Sequence, residues 1–201
     1  YAQWNPKSVS YTYNGNNSTS GSATGGSANS GDTFTTAIST SFTRTGYSFT
    51  GWCSTQMAVG ASCTGTSFTA GASNTMPASD TPIVLYAQWS ANTLNISYDS
   101  NGGSAPSGGS ATTVTGGTIS TLPTNPTRVG YTFTGWFTAI SAGSQITTSS
   151  PHNQTSNFTL YAQWNPKSVS YTYNGNNSTS GSATGGSANS GDTFTTAIST
   201  S

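Results

Sequence analysis

The sequence predicts a mainly β protein built from tandem small domains of four to five strands, each with at most a short helical turn. Three observations predict this fold class. Apolar and polar residues alternate over short stretches, which is the period of a strand with one buried face. No long pattern with the 3.6-residue period of a helix occurs. The aromatic residues, 11% of the chain, gather in islands among Ser, Thr, Gly and Asn, so any core must form on these islands.

Internal repeats set the domain organisation. Residues 1–41 are identical to residues 161–201, and the Tyr-Ala-Gln-Trp motif starts at residues 1, 86 and 161. We therefore expect residues 5–89 to form one domain, called repeat A here, and residues 90–164 to form a second, diverged one, called repeat B. Residues 1–4 are then the last strand of a preceding repeat, and residues 165–201 are the first half of another repeat A.

The opening strand of each repeat is predicted from strict alternation. In repeat B, residues 93–98 place on one face Leu94, Ile96 and Tyr98. The same positions of repeat A hold Val9, Tyr11 and Tyr13. Asn-Gly and Gly-Gly steps at 101–103 supply the positive φ angles of a turn. A weak second strand follows at 112–115, and Pro123 and Pro126 flank a turn that could hold one helical turn.

The longest aromatic island, residues 130–136, predicts a central strand. Its alternation places Tyr131 and Phe133 on one face and Trp136 on the other, and Gly135 stands at the change as a β-bulge would require. The closing strand follows at 157–164, with Leu160 among the inward residues and Tyr161 opposite them. We expect the structural core motif of both repeats to be Tyr47, Phe49, Trp52, Tyr86, Trp89, Tyr131, Phe133, Trp136, Tyr161 and Trp164.

These motifs in this order resemble the Listeria–Bacteroides repeat, also called the internalin B-repeat type. The resemblance rests on residues 96–103, then 126–136 with Gly-Tyr-x-Phe-x-Gly-Trp, then Leu-Tyr-Ala-Gln-Trp at 160–164. It implies a compact β-grasp-like domain, usually in tandem, on secreted or cell-surface bacterial proteins, with no catalytic residues to carry over. Repeat A departs from the pattern: residues 14–17 replace the usual Asp-x-Asn-Gly-Gly, and Phe42 stands where proline is expected.

The two cysteines, Cys53 and Cys63, lie in the segment that makes repeat A longer than repeat B. An even count in a repeat of extracellular type favours a disulfide, which would stabilise the repeat by about 3 kcal/mol on the chain-entropy model. A metal site is an alternative, but it would need more ligands than the neighbouring sequence offers. A reactive thiol is another, but the chain's one histidine, His152, lies in repeat B.

We expect structural roles for the remaining residues that could take part in catalysis or crosslinking. We expect His152 to be solvated in a polar loop, and the turn residues Asp32, Asp80 and Asp99 to bind their own backbone rather than to act as acid and base. A self-forming isopeptide bond would use Lys7, which recurs as Lys167, but no buried acid is marked beside it.

The arginines Arg44 and Arg128 precede Gly-Tyr in both repeats. Stacking on an aromatic ring or capping of a carbonyl is favoured over a ligand contact.

Composition limits the partners. Only 4% of residues are charged and the net charge is zero, which provides no basic patch for nucleic acid or for membrane surfaces. No apolar run approaches the about 20 residues of a membrane-spanning helix. We therefore expect no cofactor, no metal and no catalytic residues.

These features lead to one main hypothesis, a non-enzymatic extracellular stalk or fibre on a bacterial cell surface. Its partners would be neighbouring repeats and identical chains. The alternative is an adhesin whose repeats bind glycan or a host protein, first of all at the cysteine-bearing segment.

Overall fold

The computed structural model describes residues 1–196, and every regular element within them is a strand. The chain divides into two compact units. The first unit holds Tyr1–Leu94 with two later segments, Val114–Gly117 and His152–Ser156. The second holds Asn95–Thr113, Thr118–Pro151 and the described residues from Asn157 to 196. Among the described residues, no helix is long and apolar enough to cross a membrane.

The strands of repeat A are β1 (Ser8–Asn14), β2 (Ser20–Gly21), β3 (Gly26–Asn29), β4 (Thr33–Thr35), β5 (Phe42–Thr43), β6 (Tyr47–Cys53), β7 (Ser67–Phe68), β8 (Ser73–Thr75) and β9 (Ile83–Ala91). Five of them form a sheet in the order β3-β1-β9-β6-β7. Short additional pairs join β2 to β5 and β4 to β8. The central pair, β1 and β9, is parallel, and the flanking pairs are antiparallel.

Repeat B has the same topology, with the strand order β11-β10-β14-β12-β13. Its strands are β10 (Thr93–Asp99), β11 (Thr112–Val114), β12 (Tyr131–Phe137), β13 (Gln145–Ile146) and β14 (Phe158–Pro166). Here β10 and β14 are the parallel central pair. The five-stranded sheets confirm the mainly β fold class predicted from the sequence. The region around Pro123 and Pro126 forms no helical turn.

A third segment repeats the beginning of repeat A. Strands β15 (Ser168–Tyr171) and β16 (Gly186–Asn189) form an antiparallel hairpin in which Ser168 lies opposite Asn189. The identical residues of repeat A pair in the same register, with Ser8 opposite Asn29. The hairpin is therefore determined by its local sequence.

Each core is centred on the tryptophan of its Gly-Trp motif. Trp52 is 1% exposed, and its ring centroid lies 4.7 Å from that of Tyr13 and 5.0 Å from that of Phe49. In repeat B, Trp136 is 2% exposed and lies 5.3 Å from Tyr98. Edge-on contacts at these distances are favoured by the ring quadrupoles, so the aromatic islands do form the core.

One facing assignment from the sequence is wrong. Trp136 lies on the same face of the sheet as Phe133, with ring centroids 5.7 Å apart. The register along β14 shifts between Phe133 and Gly135, which is the predicted β-bulge. Because the bulge inserts one residue into β12, it reverses the alternation beyond that point. The bulge thus brings Trp136 back to the core.

Candidate functional site

A turn directly after the first strand of each repeat has the same geometry in both, and we call it the Asx corner (residues 14–16 and 99–101). In repeat B the Asp99 carboxylate accepts a hydrogen bond from the Asn101 amide, at 2.8 Å. In repeat A the Asn14 side-chain oxygen accepts the same bond from Asn16, also at 2.8 Å. Asp and Asn both offer this oxygen, so the departure of repeat A from the family pattern leaves the turn unchanged.

The last residue of the corner is an asparagine in both repeats, and in repeat A its side chain binds the closing strand and the cysteine-bearing loop. The Asn16 side-chain amide donates to the carbonyls of Ala87, at 2.9 Å, and Met57, at 3.0 Å. Its oxygen accepts a bond from Gln56 at 3.1 Å. Asn16 is 7% exposed and its φ is +46°. This one side chain therefore joins the first strand, the last strand and the cysteine-bearing loop.

Two further side chains of repeat A bind backbone carbonyls of the corner. The Trp89 indole N–H donates to the Gly15 carbonyl at 3.0 Å. The Arg44 guanidinium donates to the Asn16 carbonyl at 3.3 Å and lies 4.2 Å from the centre of the Tyr47 ring. The expected role of the arginine, stacking on an aromatic ring and capping a carbonyl, is confirmed.

Repeat B makes the same contacts with its own residues. They are Asn101 Nδ2 to the Ala162 carbonyl (3.0 Å), Trp164 Nε1 to the Ser100 carbonyl (3.1 Å), and Arg128 Nη1 to the Asn101 carbonyl (3.3 Å). Arg128 also lies 4.0 Å from the centre of the Tyr131 ring. The Tyr-Ala-Gln-Trp motif therefore serves the corner in two ways, since its Ala carbonyl accepts a bond and its Trp donates one.

Sequence reasoning missed the role of the last asparagine of the corner, Asn16 in repeat A and Asn101 in repeat B. The available signal was an Asn two residues after an Asn or Asp at the end of the first strand, in both repeats. That spacing predicts a local turn. It does not show that the second side chain reaches a strand some 70 residues later in the chain, at Ala87.

The cysteine-bearing loop of repeat A is closed by a disulfide between Cys53 and Cys63, whose Cα atoms are 5.7 Å apart. Cys53 ends β6 and is fully buried. The loop is held to the closing strand as well, because the Gly60 amide donates to the Trp89 carbonyl at 2.9 Å. Phe137 holds the place of Cys53 in repeat B.

The loop borders a groove, but repeat B has one of equal size. The groove beside the disulfide has a volume of about 350 Å³ and is lined by residues that include Gly51, Cys63 and Gln88. The corresponding groove of repeat B, beside Gly135 and Gln145, has about 360 Å³ and no disulfide. The cysteine-bearing segment therefore changes the rim of this groove without enlarging it.

A comparison with known protein families identifies the same two repeats. The model of the Listeria–Bacteroides repeat domain matches residues 8–88 and 95–163. The chain belongs to the Listeria–Bacteroides repeat family. This membership confirms the resemblance read from the Gly-Tyr-x-Phe-x-Gly-Trp and Tyr-Ala-Gln-Trp motifs.

The chain is also similar to short parts of several larger proteins. The chain is 37% identical over 95 residues to Internalin H of Listeria monocytogenes, a match that covers 46% of the chain and 16% of that protein. It is 37% identical over 100 residues to a protein of Evansella cellulosilytica whose name describes a Gly-rich membrane protein, covering 47% of the chain and 11% of that protein. The chain thus spans a small part of the relatives it matches.

The family motif residues divide into buried and half-buried groups. The most buried are Trp52, Trp136 and Trp89. The others are half-buried, namely Tyr47, Phe49, Tyr86, Tyr131, Phe133, Tyr161 and Trp164. Phe133 lies between Trp136 and Trp164, and its ring is in edge contact with both. Core packing thus occupies the ring of Phe133.

His152 is not solvated as the sequence suggested. Its side chain is 5% exposed, and its backbone amide donates to the Gly117 carbonyl at 2.9 Å. Its Nδ1 accepts a bond from the Gln154 amide at 3.1 Å. Burial lowers the pKa of His152, because desolvation disfavours the charged imidazolium. The loop around it therefore contributes to packing.

Lys7 lies in a surface ion pair. Its ammonium is 3.0 Å from Asp80 Oδ1, and the side chains are 61% and 92% exposed. An isopeptide bond would instead need a buried lysine beside an asparagine. In the described part of the chain, no group of three His, Cys, Asp or Glu residues is placed to hold a metal ion.

Proposed function

We propose that this chain is a structural segment of an extracellular stalk or fibre on a bacterial surface, and that it acts mechanically rather than as an enzyme. The observation that carries the proposal is the pairing of the first and last strand of each repeat. In repeat A, β1 and β9 are parallel neighbours with Tyr11 opposite Ile83. In repeat B, β10 and β14 are parallel neighbours with Ile96 opposite Phe158.

This pairing determines how a pulling force acts. Force along the chain enters repeat A at the start of β1 and leaves at the end of β9. Because the strands are parallel, these two points lie at opposite ends of the pair, and the force acts along the strands. The interstrand hydrogen bonds are then loaded together in shear. A pair pulled from one end would instead lose its bonds one at a time.

Short, hydrogen-bonded linkers support the same function. One residue, Asn92, separates β9 from β10, and its amide donates to the Gly46 carbonyl at 3.0 Å. Its carbonyl accepts a bond from Thr115 at 2.9 Å, and its side-chain oxygen accepts one from Ser48 at 2.7 Å. A linker held in this way adds little slack to a tandem array.

The outermost strands of the two sheets are too short to favour lateral pairing with other chains. The outermost strands β3, β7, β11 and β13 are two to four residues long. Short edge strands offer few unpaired backbone groups to a neighbouring chain. In the proposed fibre, the tandem repeats form the main axis, and identical chains are lateral partners.

Single-molecule force spectroscopy tests the mechanical function. The chain is pulled either from its two termini or from two handles at the same end of the pair, residue 19, which follows β1, and residue 90, which lies next to the last residue of β9. We expect repeat A to unfold at a higher force when pulled from the termini. Equal or lower force in that geometry would contradict the proposal.

The disulfide identifies which unfolding event belongs to repeat A. The loop from Cys53 to Cys63 spans a sequence separation of 10. At about 3.6 Å per residue, the closed loop hides about 30 Å of contour length. Reduction should therefore lengthen the repeat A event by that amount and leave the repeat B event unchanged.

The cysteine-bearing loop supports a second candidate function, binding of glycan or a host protein. It is the main feature that distinguishes the repeats, and its residue Val59 is 37% exposed. The test replaces residues 54–66 with residues 138–144 of repeat B and changes Cys53 to Phe. Loss of adhesion to host cells or a glycan array, while repeat A still unfolds as one event and repeat B keeps its unfolding force, would support this function. Unchanged adhesion would exclude the loop as the binding site.

A further inference from the structure

The glycine before the core-motif tyrosine has left-handed backbone and no room for a side chain. In the second unit, Gly130 has φ +80°, and a Cβ added there would collide with the Ser190 side chain. The Tyr131 hydroxyl donates to the Ser190 carbonyl at 3.2 Å. A Cβ added at Gly191 would lie 2.9 Å from the same hydroxyl. The bend formed by Gly130 and Tyr131 is thus packed directly on the turn formed by Ser190 and Gly191.

Two backbone hydrogen bonds complete this contact through the linker residue. The Lys167 amide donates to the Gly130 carbonyl at 2.7 Å. The Ser190 amide in turn donates to the Lys167 carbonyl at 2.9 Å. The linker residue Lys167 is therefore hydrogen-bonded both to the bend at Gly130 and to the turn at Ser190.

The first unit repeats the two backbone bonds and the close approach of glycine to the turn, with different side chains. The Gly46 carbonyl accepts a bond from the linker residue Asn92, whose carbonyl accepts one from Thr115. A Cβ on Gly46 would lie 2.7 Å from Thr115 Cγ2, and a Cβ on Gly116 would lie 3.3 Å from the Tyr47 hydroxyl. A small hydroxyl residue followed by glycine meets a Gly-Tyr bend in both units, so the contact does not depend on one particular turn sequence.

We propose that the Gly-Tyr bend of each repeat is a docking surface for the turn that follows it in the chain. The partner is a small hydroxyl residue followed by glycine, and docking stabilises the start of the next repeat. Gly-Tyr suits this role because glycine leaves room for the turn and the tyrosine hydroxyl lies against it. In a tandem array this contact is a nearest-neighbour term that adds to the intrinsic stability of each repeat.

The chain contains its own control for this proposal. The turn at Ser30 and Gly31 has the same sequence as that at Ser190 and Gly191 and makes the same bond, from the Ser30 amide to the Lys7 carbonyl at 2.9 Å. Gly31 has φ +87° and Gly191 has φ +89°. No atom of the described structure lies within 4 Å of a Cβ added at Gly31. Alanine therefore strains both turns equally and obstructs a Gly-Tyr bend only at Gly191.

Amide hydrogen exchange of the whole chain measures the docking. Gly191→Ala should increase exchange of the Ser190 and Lys167 amides at least fivefold more than Gly31→Ala increases exchange of the Ser30 amide. Tyr131→Phe, which removes one hydroxyl and no packing volume, should raise exchange of the same two amides about fivefold, the equivalent of one net hydrogen bond. Equal effects of the two alanines, together with no effect of Tyr131→Phe, would overturn the proposal. This equilibrium measurement is separate from the pulling experiment proposed above, so either can fail without the other.

Discussion

Replacing Asn16 by glycine removes the side-chain amide of the Asx corner without straining its backbone. Asn16 has φ +46°, a left-handed conformation that glycine adopts readily. The substitution removes its bonds to Ala87, Met57 and Gln56. At about 0.5 to 1.5 kcal/mol for each net hydrogen bond, the three together contribute about 1.5 to 4.5 kcal/mol. We expect the first unit to lose stability by this amount.

Asn176 provides the matched control. It has the same sequence neighbours as Asn16, a φ of +43°, and an exposed side chain. Asn176→Gly therefore makes the same change in backbone freedom and in the unfolded chain, so the difference between the two variants isolates the side-chain contacts of Asn16.

The assay is native-state hydrogen exchange read by mass spectrometry, which assigns an opening free energy to each strand separately. Asn16→Gly should reduce the protection of β9 and leave β14 unchanged, and Asn176→Gly should affect neither strand. A difference between the two variants below about 0.5 kcal/mol at β9, less than one net hydrogen bond, would refute the reasoning.

Three further predictions concern buried groups. Trp52→Phe should cost about 1 kcal/mol more than Trp136→Phe in chemical denaturation, because the Trp52 indole N–H donates to a backbone carbonyl at 3.0 Å, whereas the buried Trp136 N–H has no hydrogen-bond partner among the described residues. Removing the Cys53–Cys63 disulfide by double serine substitution should destabilise only the first unit, by about 3 kcal/mol. Stability of that unit should decrease as the pH falls below 6.5, since the unfolded state then protonates His152 more readily than the folded state, whose pKa burial lowers.

Each of these predictions has its own contrary result. Equal costs for the two tryptophan variants would show that the orphan indole N–H is satisfied in solution. Destabilisation of the second unit by loss of the disulfide would mean that the units do not unfold separately. Retention of the full pH dependence in a His152→Gln variant would assign it to other groups.

Local patterns in the sequence were sufficient for the strands and turns. Strict alternation predicted β10, with Leu94 and Ile96 inward, and the structure buries both. Gly135 marked the bulge, because a position with φ +144° favours glycine. The same alternation gave the wrong face for Trp136, because a bulge changes the period and its exact position within the strand depends on pairing with β14.

Contacts between distant parts of the chain could not be predicted from the sequence. The burial of His152 depends on a loop that bonds to the Gly117 carbonyl, and no pattern near the histidine indicates this bond. The roles of Asn16 and Asn101 likewise depend on carbonyls in the closing strand. Local periodicity carries no information about which carbonyl will lie opposite a given amide.

The identical segments of this chain separate the two contributions directly. In both copies the same hairpin register forms, and the Asn16 and Asn176 amides bind the side chain two residues before them. These features need only neighbouring residues, so the sequence by itself determines them.

Burial differs between the same two copies. Val9 is 3% exposed and Phe34 is 8% exposed, whereas their counterparts Val169 and Phe194 are 55% and 53% exposed. Strand β1 extends to Asn14 beside its parallel partner β9, but β15 ends at Tyr171 and, among the described residues, pairs only with β16. The tertiary structure alone decides which apolar face is covered, because hydrophobic burial requires a partner strand that lies far away in the sequence.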